Sequence, residues 1–271
     1  MFKFKNAYSD IQLILFSRTT LAGVLLSMIS PAFAAQSPVE GMQKSQAVSG
    51  TKVFELKLGA SRIIYHPDSA GAEVAVTNPQ DYPILIQGKV YNEDKKTLAP
   101  FIVTPPLSRL EAGQQSRLRI IRTGGNADDN RETLQWFCVG GIPPKDTDVW
   151  ARDEKSRSST SSQVQLHMEV SVHDCIKLLT RPSGVKGSPM DKANDLEWHR
   201  QGKQLKVTNP SSFYMNLASV SVGGKAVPDI DYVAPVASRS FTFPEGATGL
   251  VQWKIITDEG GESHAFQSAL K

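Results

Sequence analysis

Cysteine and histidine are scarce: Cys138, Cys175 and five scattered histidines (His66, His167, His173, His199, His264) in 271 residues. With no CxxC pair and no ligand spacing among the histidines, no metal framework can be read. Excess charge is missing too, since 30 Lys+Arg against 27 Asp+Glu leave a net charge of +3. The densest basic stretch, "RLRIIR" (residues 117–122), alternates as a solvated strand face does, so nucleic acid is not an expected partner. Long apolar runs are absent; "LAGVLLSMIS" is roughly half the ~20 residues a membrane-spanning helix needs, and no membrane insertion is expected. There is no GxSxG, no HExxH, no phosphate-cradling glycine loop and no Cys/His pair free for nucleophilic work, which argues against an enzyme and against a bound cofactor. The acids of "TGGNADDNRE" lack the regular spacing of a calcium loop.

What is present begins with an export signal. Lys3, Lys5 and Arg18 precede the short apolar run, and "PAFAAQS" offers small residues for cleavage near Ala34. Residues 1–34 therefore read as a cleavable signal peptide, and residues 35–52, small and polar, as a flexible leader. In an oxidising compartment an even pair of cysteines reads first as a disulfide, with two free buried thiols as the alternative. Closing a loop of about 37 residues would stabilise the fold by ~4 kcal/mol on the chain-entropy model.

From residue 53 onward, short runs of strand character alternate with turn chemistry: "VFELKLG", "SRIIY", "AEVAVTN", "PILIQGKVY", "PFIVTPP", "SRLRIIR", "ETLQWFCV", "VQLHMEVSV" and "CIKLLTRP". "RPSGVKGSPMDKAND" then interrupts with proline and glycine, and a second β series follows: "LEWHR", "QLKVTN", "FYMNLASVSVGG", "SFTFP" and "LVQWKII". The pattern predicts an all-β protein of two sandwich domains, 53–181 and 191–271, joined by a linker over 182–190. No amphipathic helix and no internal repeat is visible.

Three features stand out from this β background. "VQLHMEVSV" places Val164, Leu166, Met168, Val170 and Val172 on one face and polar residues on the other, directly after the polar stretch "RDEKSRSSTSSQ". Such a stripe is either a core strand or a surface kept for another protein. Arg62 and Lys177 each interrupt an apolar strand run. Singly each would point to solvent; together in one cleft they would make a carboxylate site, a planar fork beside a point charge. Finally, Arg119, Glu132 and Asp258 could form an ion network between the domains that fixes a hinge angle.

The stretches "NPQDYPILIQGKVYNED", "PFIVTPPLSRLEAGQQSRLRIIR", "RETLQWFCVGGIPPK", "CIKLLTRP" and "NPSSFYMNL" resemble the periplasmic pilus chaperones of the chaperone–usher pathway, over about residues 53–260. The cysteine pair and the long loop from Gly140 to Gln163 resemble the branch of that family that assembles thin, non-pilus fibres. The resemblance implies two immunoglobulin-like domains in an L- or boomerang-like arrangement and a periplasmic chaperone without catalytic activity. Its fibre subunits lack their last strand, an aggregation hazard that the chaperone covers by lending its own edge strand. Carried over, residues 164–172 become the donor strand, supplemented by Phe54, Leu56 and Leu58. Arg62 and Lys177 become the anchor for the subunit's C-terminal carboxylate, and Cys138–Cys175 a tie between the presenting strand and its neighbour. The resemblance further implies an outer-membrane usher as partner, with Pro83, Leu85, Gln87, Thr104 and Pro106 facing it. A stripe left uncovered also gives the free chain a reason to self-associate. The alternatives are a structural or adhesive fibre subunit, against which the leader lacks an alternating donor pattern, and an exported carbohydrate-binding protein. The latter calls for exposed aromatic platforms, whereas Trp136, Trp198 and Trp253 sit in core-like alternation.

Overall fold

A computed structural model of the chain describes residues 55–125, 128–145, 148, 150 and 172–271. These residues belong to one compact unit. The first sandwich pairs two sheets. One has the order β1–β3–β7–β5, formed by β1 (Lys57–Leu58), β3 (Ala72–Thr77), β7 (Gln115–Arg122) and β5 (Phe101–Thr104). The other has the order β2–β9–β8–β4–β6, formed by β2 (Arg62–Tyr65), β9 (Val172–Thr180), β8 (Thr133–Ile142), β4 (Ile84–Asn92) and β6 (Ser108–Leu110). Period-two alternation explains which side chains meet between them: Val74 and Val76 from β3, Ile84, Ile86 and Val90 from β4, Leu118 and Ile120 from β7 are all buried. Gly88 of β4 lies among them because a Cβ there would press on Val103, Leu118 and Phe137.

The second sandwich is built from β10 (Glu197–Gln201), β11 (Gln204–Asn209) and β15 (Ala237–Thr242) in one sheet. Its other sheet holds β13 (Lys225–Ala226), β12 (Met215–Val222), β16 (Val251–Ile255) and β17 (Phe266–Ser268), with β14 (Tyr232–Val233) also paired to β12. Trp198 and Trp253 fill its centre with their rings 5.4 Å apart. The stretch that reads as a linker carries a short helix, α1 (Pro189–Lys192), and sends Val185 into the second core. Trp136 departs from the expected core position. Its neighbour Phe137 takes the inward face of β8 and Trp136 points the other way, because adjacent strand residues cannot share a face.

One local device occurs twice. Asn78, at the end of β3, and Asn209, at the end of β11, each precede a proline and are fully buried. The Asn78 amide donates to the carbonyls of Tyr82, Leu110 and Glu111, and its oxygen accepts from the N–H of Gln80. The Asn209 amide donates to Phe213, Val233 and Ala234, and its oxygen accepts from the N–H of Ser211. Each side chain thus closes its own turn and staples it to a second segment, a repeat the sequence shows only as "TNP".

Candidate functional site

Register partners share a face of a sheet, so the outer face of β2–β9–β8–β4 can be read row by row. One row holds Arg62, Lys177, Trp136 and Tyr91: Arg62 pairs with Lys177 across parallel strands, Lys177 with Trp136, and Trp136 with Tyr91. The next row holds Ile64, Leu179 and Leu134. Beyond β9 and β8 lie Arg181 and Glu132. The second domain covers these rows with matching chemistry.

Over the apolar row sits Tyr214, which joins Leu134 and Leu179 in a small core between the domains. Over the charged end sits the turn after β16. Arg181 Nε donates to Glu132 Oε1 at 2.7 Å, while its Nη1 and Nη2 donate to Asp258 Oδ2 and Oδ1 at 2.7 and 2.8 Å. Glu132 is 2% exposed; its other oxygen accepts the N–H of Tyr214 and its own N–H donates to the carbonyl of Ser212. In the same turn, Gly260 has φ +89° and packs directly on Ser61, leaving no room for a Cβ.

This corrects the expected network. Glu132 and Asp258 do meet across the domains, but the cation between them is Arg181. Arg119 shares the solvent-facing parity of Arg117 on β7, is exposed, and donates instead to the carbonyl of Ala70. Arg181 was missed because a charge that ends a strand run before proline reads as a boundary.

Over the cationic row, the two charges are separately engaged. Arg62 is 9% exposed; Nη1 donates to the carbonyl of Ile256 at 3.3 Å, and Nε is buried without a partner. Burial lowers its pKa, opposed by the charges of Asp258 and Glu132. Lys177 Nζ donates to Asn216 Oδ1 at 2.7 Å, lies 3.7 Å from Asp231 Oδ1 and stands over the ring of Tyr232 at 4.7 Å. Burial also pulls the Lys177 ammonium below the ordinary lysine range; Asp231 opposes this and Arg62 adds to it. Lys95, held at φ +58° in the turn after β4, places Nζ 3.7 Å from the centre of the Trp136 ring. Glu93 of that turn accepts hydrogen bonds from the hydroxyls of Tyr232 at 2.8 Å and Tyr214 at 3.4 Å. Burial and Glu93 push Tyr232 up to about 12 and Tyr214 further still, so both phenols stay protonated donors. A desolvated Arg on the strand beside a desolvated Lys, with one buried guanidinium donor unmatched, has donor chemistry suited to an anionic group.

The other sequence-read residues fall as follows. Cys138 and Cys175 are register partners on β8 and β9 and are joined by a disulfide one row above Trp136 and Lys177. Residues 164–171 of the stripe lie outside the described residues; of Val172 only the backbone is described, pairing with Gly141 at the start of β9. Phe54 also lies outside them. Leu56 is 4% exposed within the first core and Leu58 packs against it, so these two side chains serve the chain's own sandwich rather than a second free stripe. Leu85 and Gln87 sit on the outer face of β4, half-buried, with Pro83 just before them. Thr104 and Pro106 are exposed on the segment leading into β6, whose Ser108 pairs with Ile86. Sequence reasoning did not find Asn216, Asp231, Arg239 and Glu93; the trace it left was Asn216 standing inside an apolar strand, the same oddity that marks Lys177. Among the described residues no cluster of metal-ligating side chains occurs, and no helix is long and apolar enough to cross a membrane.

Fold and site together define a two-domain immunoglobulin-like protein with a cationic site where the domains meet. Two family models match it in succession: the pili and flagellar-assembly chaperone, PapD N-terminal domain, over residues 55–186, and the pili assembly chaperone PapD, C-terminal domain, over residues 191–267. The chain belongs to this family of pilus-assembly chaperones. It is similar to chaperone protein AggD of Escherichia coli, 44% identical over 91% of this chain and 97% of that protein. It is also similar to two solved structures. The E. coli chaperone DraB is 49% identical, with 81% of this chain and 98% of that one covered and a TM-score of 0.72. A chain of the Salmonella enterica SafA pilin–SafB chaperone complex is 48% identical, with 82% and 99% covered and a TM-score of 0.72.

Proposed function

We propose that this chain is a periplasmic chaperone that captures fibre subunits by lending them a strand, grips their C-terminal carboxylate with Arg62 and Lys177, and hands them to an outer-membrane usher. The observation that carries the reading is the register pair Arg62–Lys177: two partly desolvated cations on adjacent strands, Lys177 on the one that follows the apolar stripe in the sequence. An anchor at Lys177 fixes which residues of 164–172 meet the subunit, and a one-residue slip would turn the whole stripe away from its groove. The similarity to a chaperone solved in complex with a pilin supports subunit binding. The signal-peptide pattern of residues 1–34 and the disulfide both suit the periplasm. Leu85 and Gln87, with Pro83, Thr104 and Pro106, are the surface we assign to the usher, and no catalytic role is assigned to any residue.

The test is co-expression of the chain with an exported fibre subunit, followed by co-purification. Arg62→Ala and Lys177→Ala should each abolish the complex while the free protein keeps a cooperative thermal transition. Undiminished recovery of complex from both variants would overturn the anchor.

A further inference from the structure

Asp231 places its two carboxylate oxygens on two different cations. Oδ1 lies 3.7 Å from Lys177 Nζ, and Oδ2 lies 3.0 Å from Arg239 Nη2. The two contacts are unequal: 3.0 Å is hydrogen-bond length and 3.7 Å is a Coulombic contact beyond it. Lys177 is positioned by other groups, the Asn216 amide oxygen at 2.7 Å and the faces of Tyr232 and Trp136. Arg239 is likewise fixed independently, by donating Nη1 to the carbonyl of Tyr232 at 2.8 Å and by lying over the Tyr232 ring. Lys177 can therefore change its anionic partner without losing its place, and Asp231 can release Lys177 without losing Arg239. Lys177, Asp231 and Arg239 by themselves carry one positive charge in excess, and Arg62 and Lys95 add to the positive potential at Lys177, which favours an incoming carboxylate.

We propose that Asp231 is a built-in competitor for Lys177: it holds the ammonium as a resident carboxylate and yields it to the C-terminal carboxylate of the arriving subunit, with Arg239 retaining Asp231 after the exchange. Asp231 and Arg239 thereby set how tightly the anchor grips and how readily it lets go, without touching the subunit chain. This inference rests on the carboxylate-anchor reading of Arg62 and Lys177.

The test uses the full mature chain and a fluorescein-labelled peptide of alternating valine and serine ending in a free carboxylate, beside the same peptide ending in an amide, with affinities read by anisotropy. In the wild type the acid should bind more tightly than the amide. Asp231→Asn, and Asp231→Ser as an independent removal of the charge, should tighten the acid by about three- to fivefold and leave the amide unchanged. Arg239→Gln should weaken the acid by a similar factor, since Asp231 then has Lys177 as its sole cation, and that loss should vanish in the Asp231→Asn background. An acid preference that neither Asp231 variant increases overturns this inference and leaves the anchor standing. An Arg239→Gln effect that persists without the Asp231 charge overturns it as well. Equal binding of acid and amide by the wild type overturns the anchor reading itself, and this inference with it.

Discussion

Arg62 and Lys177 are direct register partners on parallel strands, yet each charged group reaches into the other domain: Arg62 to the carbonyl of Ile256, Lys177 to the amide oxygen of Asn216. Two like charges in adjacent positions repel, and the first domain supplies no neutralising carboxylate in their row. The second domain does, with Asp258 near Arg62 and Asp231 near Lys177. The cationic site is thus a property of both domains held together.

A pH dependence follows from the burial of Lys177. Its pKa is lowered from the ordinary 10.5, so the unfolded chain holds this proton more tightly than the folded one. Between the folded value and 10.5 the unfolded state carries more protons, and stability rises with pH. Carboxylate binding needs the charged ammonium and falls over the same window. We expect affinity for a carboxylate-ended peptide to decline below pH 10.5, while Lys177→Arg keeps its affinity through that range. Wild-type stability relative to Lys177→Met should climb as affinity drops. Two curves of the same sign would refute the assignment.

The domain junction should fail at Arg181 and tolerate change at Arg119. Removing Arg181 leaves Glu132 buried without its cation, a loss of about 3–5 kcal/mol. Arg181→Met should therefore lower the urea midpoint sharply, and adding Glu132→Gln should recover part of the loss. Arg119→Ala should cost under about 1 kcal/mol, because that side chain is exposed and bonded to one carbonyl. Gly260→Val should act like Arg181→Met, by forcing the Asp258 turn off Ser61.

Long alternating strands were legible in the sequence, and short or two-sided ones were not. "AEVAVTN" and "PILIQGKVY" became β3 and β4, since six or more positions suffice to show a period of two. β6, β13, β14 and β17 have two or three residues each and cannot display a period. That blind spot mattered for the site, because Asp231 and Tyr232 enter it at β14. Arg62 and Lys177 were visible as charges inside apolar runs, a local anomaly. Their partners were not, because pairing across 39 residues (Lys177 with Asn216) or 194 (Arg62 with Ile256) is set by how sandwiches pack, which no local pattern encodes. Arg119 was misassigned although its parity with Arg117 already marked it as solvent-facing.

The twin asparagines predict matched losses. Replacing Asn78 or Asn209 with alanine removes two N–H donors, shared among three carbonyls, and an acceptor at once, leaving buried carbonyls unpaired at about 1–3 kcal/mol for each one that water cannot reach. Each variant should lose roughly 3 kcal/mol or more, and each loss should be confined to its own domain. Hydrogen exchange resolved by peptide should show Asn78→Ala loosening the first sandwich and Asn209→Ala the second. A loss below about 1 kcal/mol at either site would show that the amide is replaceable there.

The disulfide makes the last prediction. Cys138 and Cys175 are 37 residues apart, so the link removes unfolded-state freedom amounting to ~4 kcal/mol, less if the chain between them is already compact. Reduction, or replacement of both cysteines by alanine, should lower the melting temperature by roughly 10 °C. Position adds a second, functional consequence. The bond lies one row above Lys177, between the anchor and the strand's beginning at Val172, where β9 still pairs with β8. A subunit bound along residues 164–172 would pull on that beginning. Without the link, the pair Val172–Gly141 should exchange its amide protons faster than Leu178 and Leu179, which the core holds. Subunit complexes should then dissociate faster, even at temperatures where the reduced protein is fully folded. Equal dissociation rates for oxidised and reduced chaperone would confine the disulfide to stability alone.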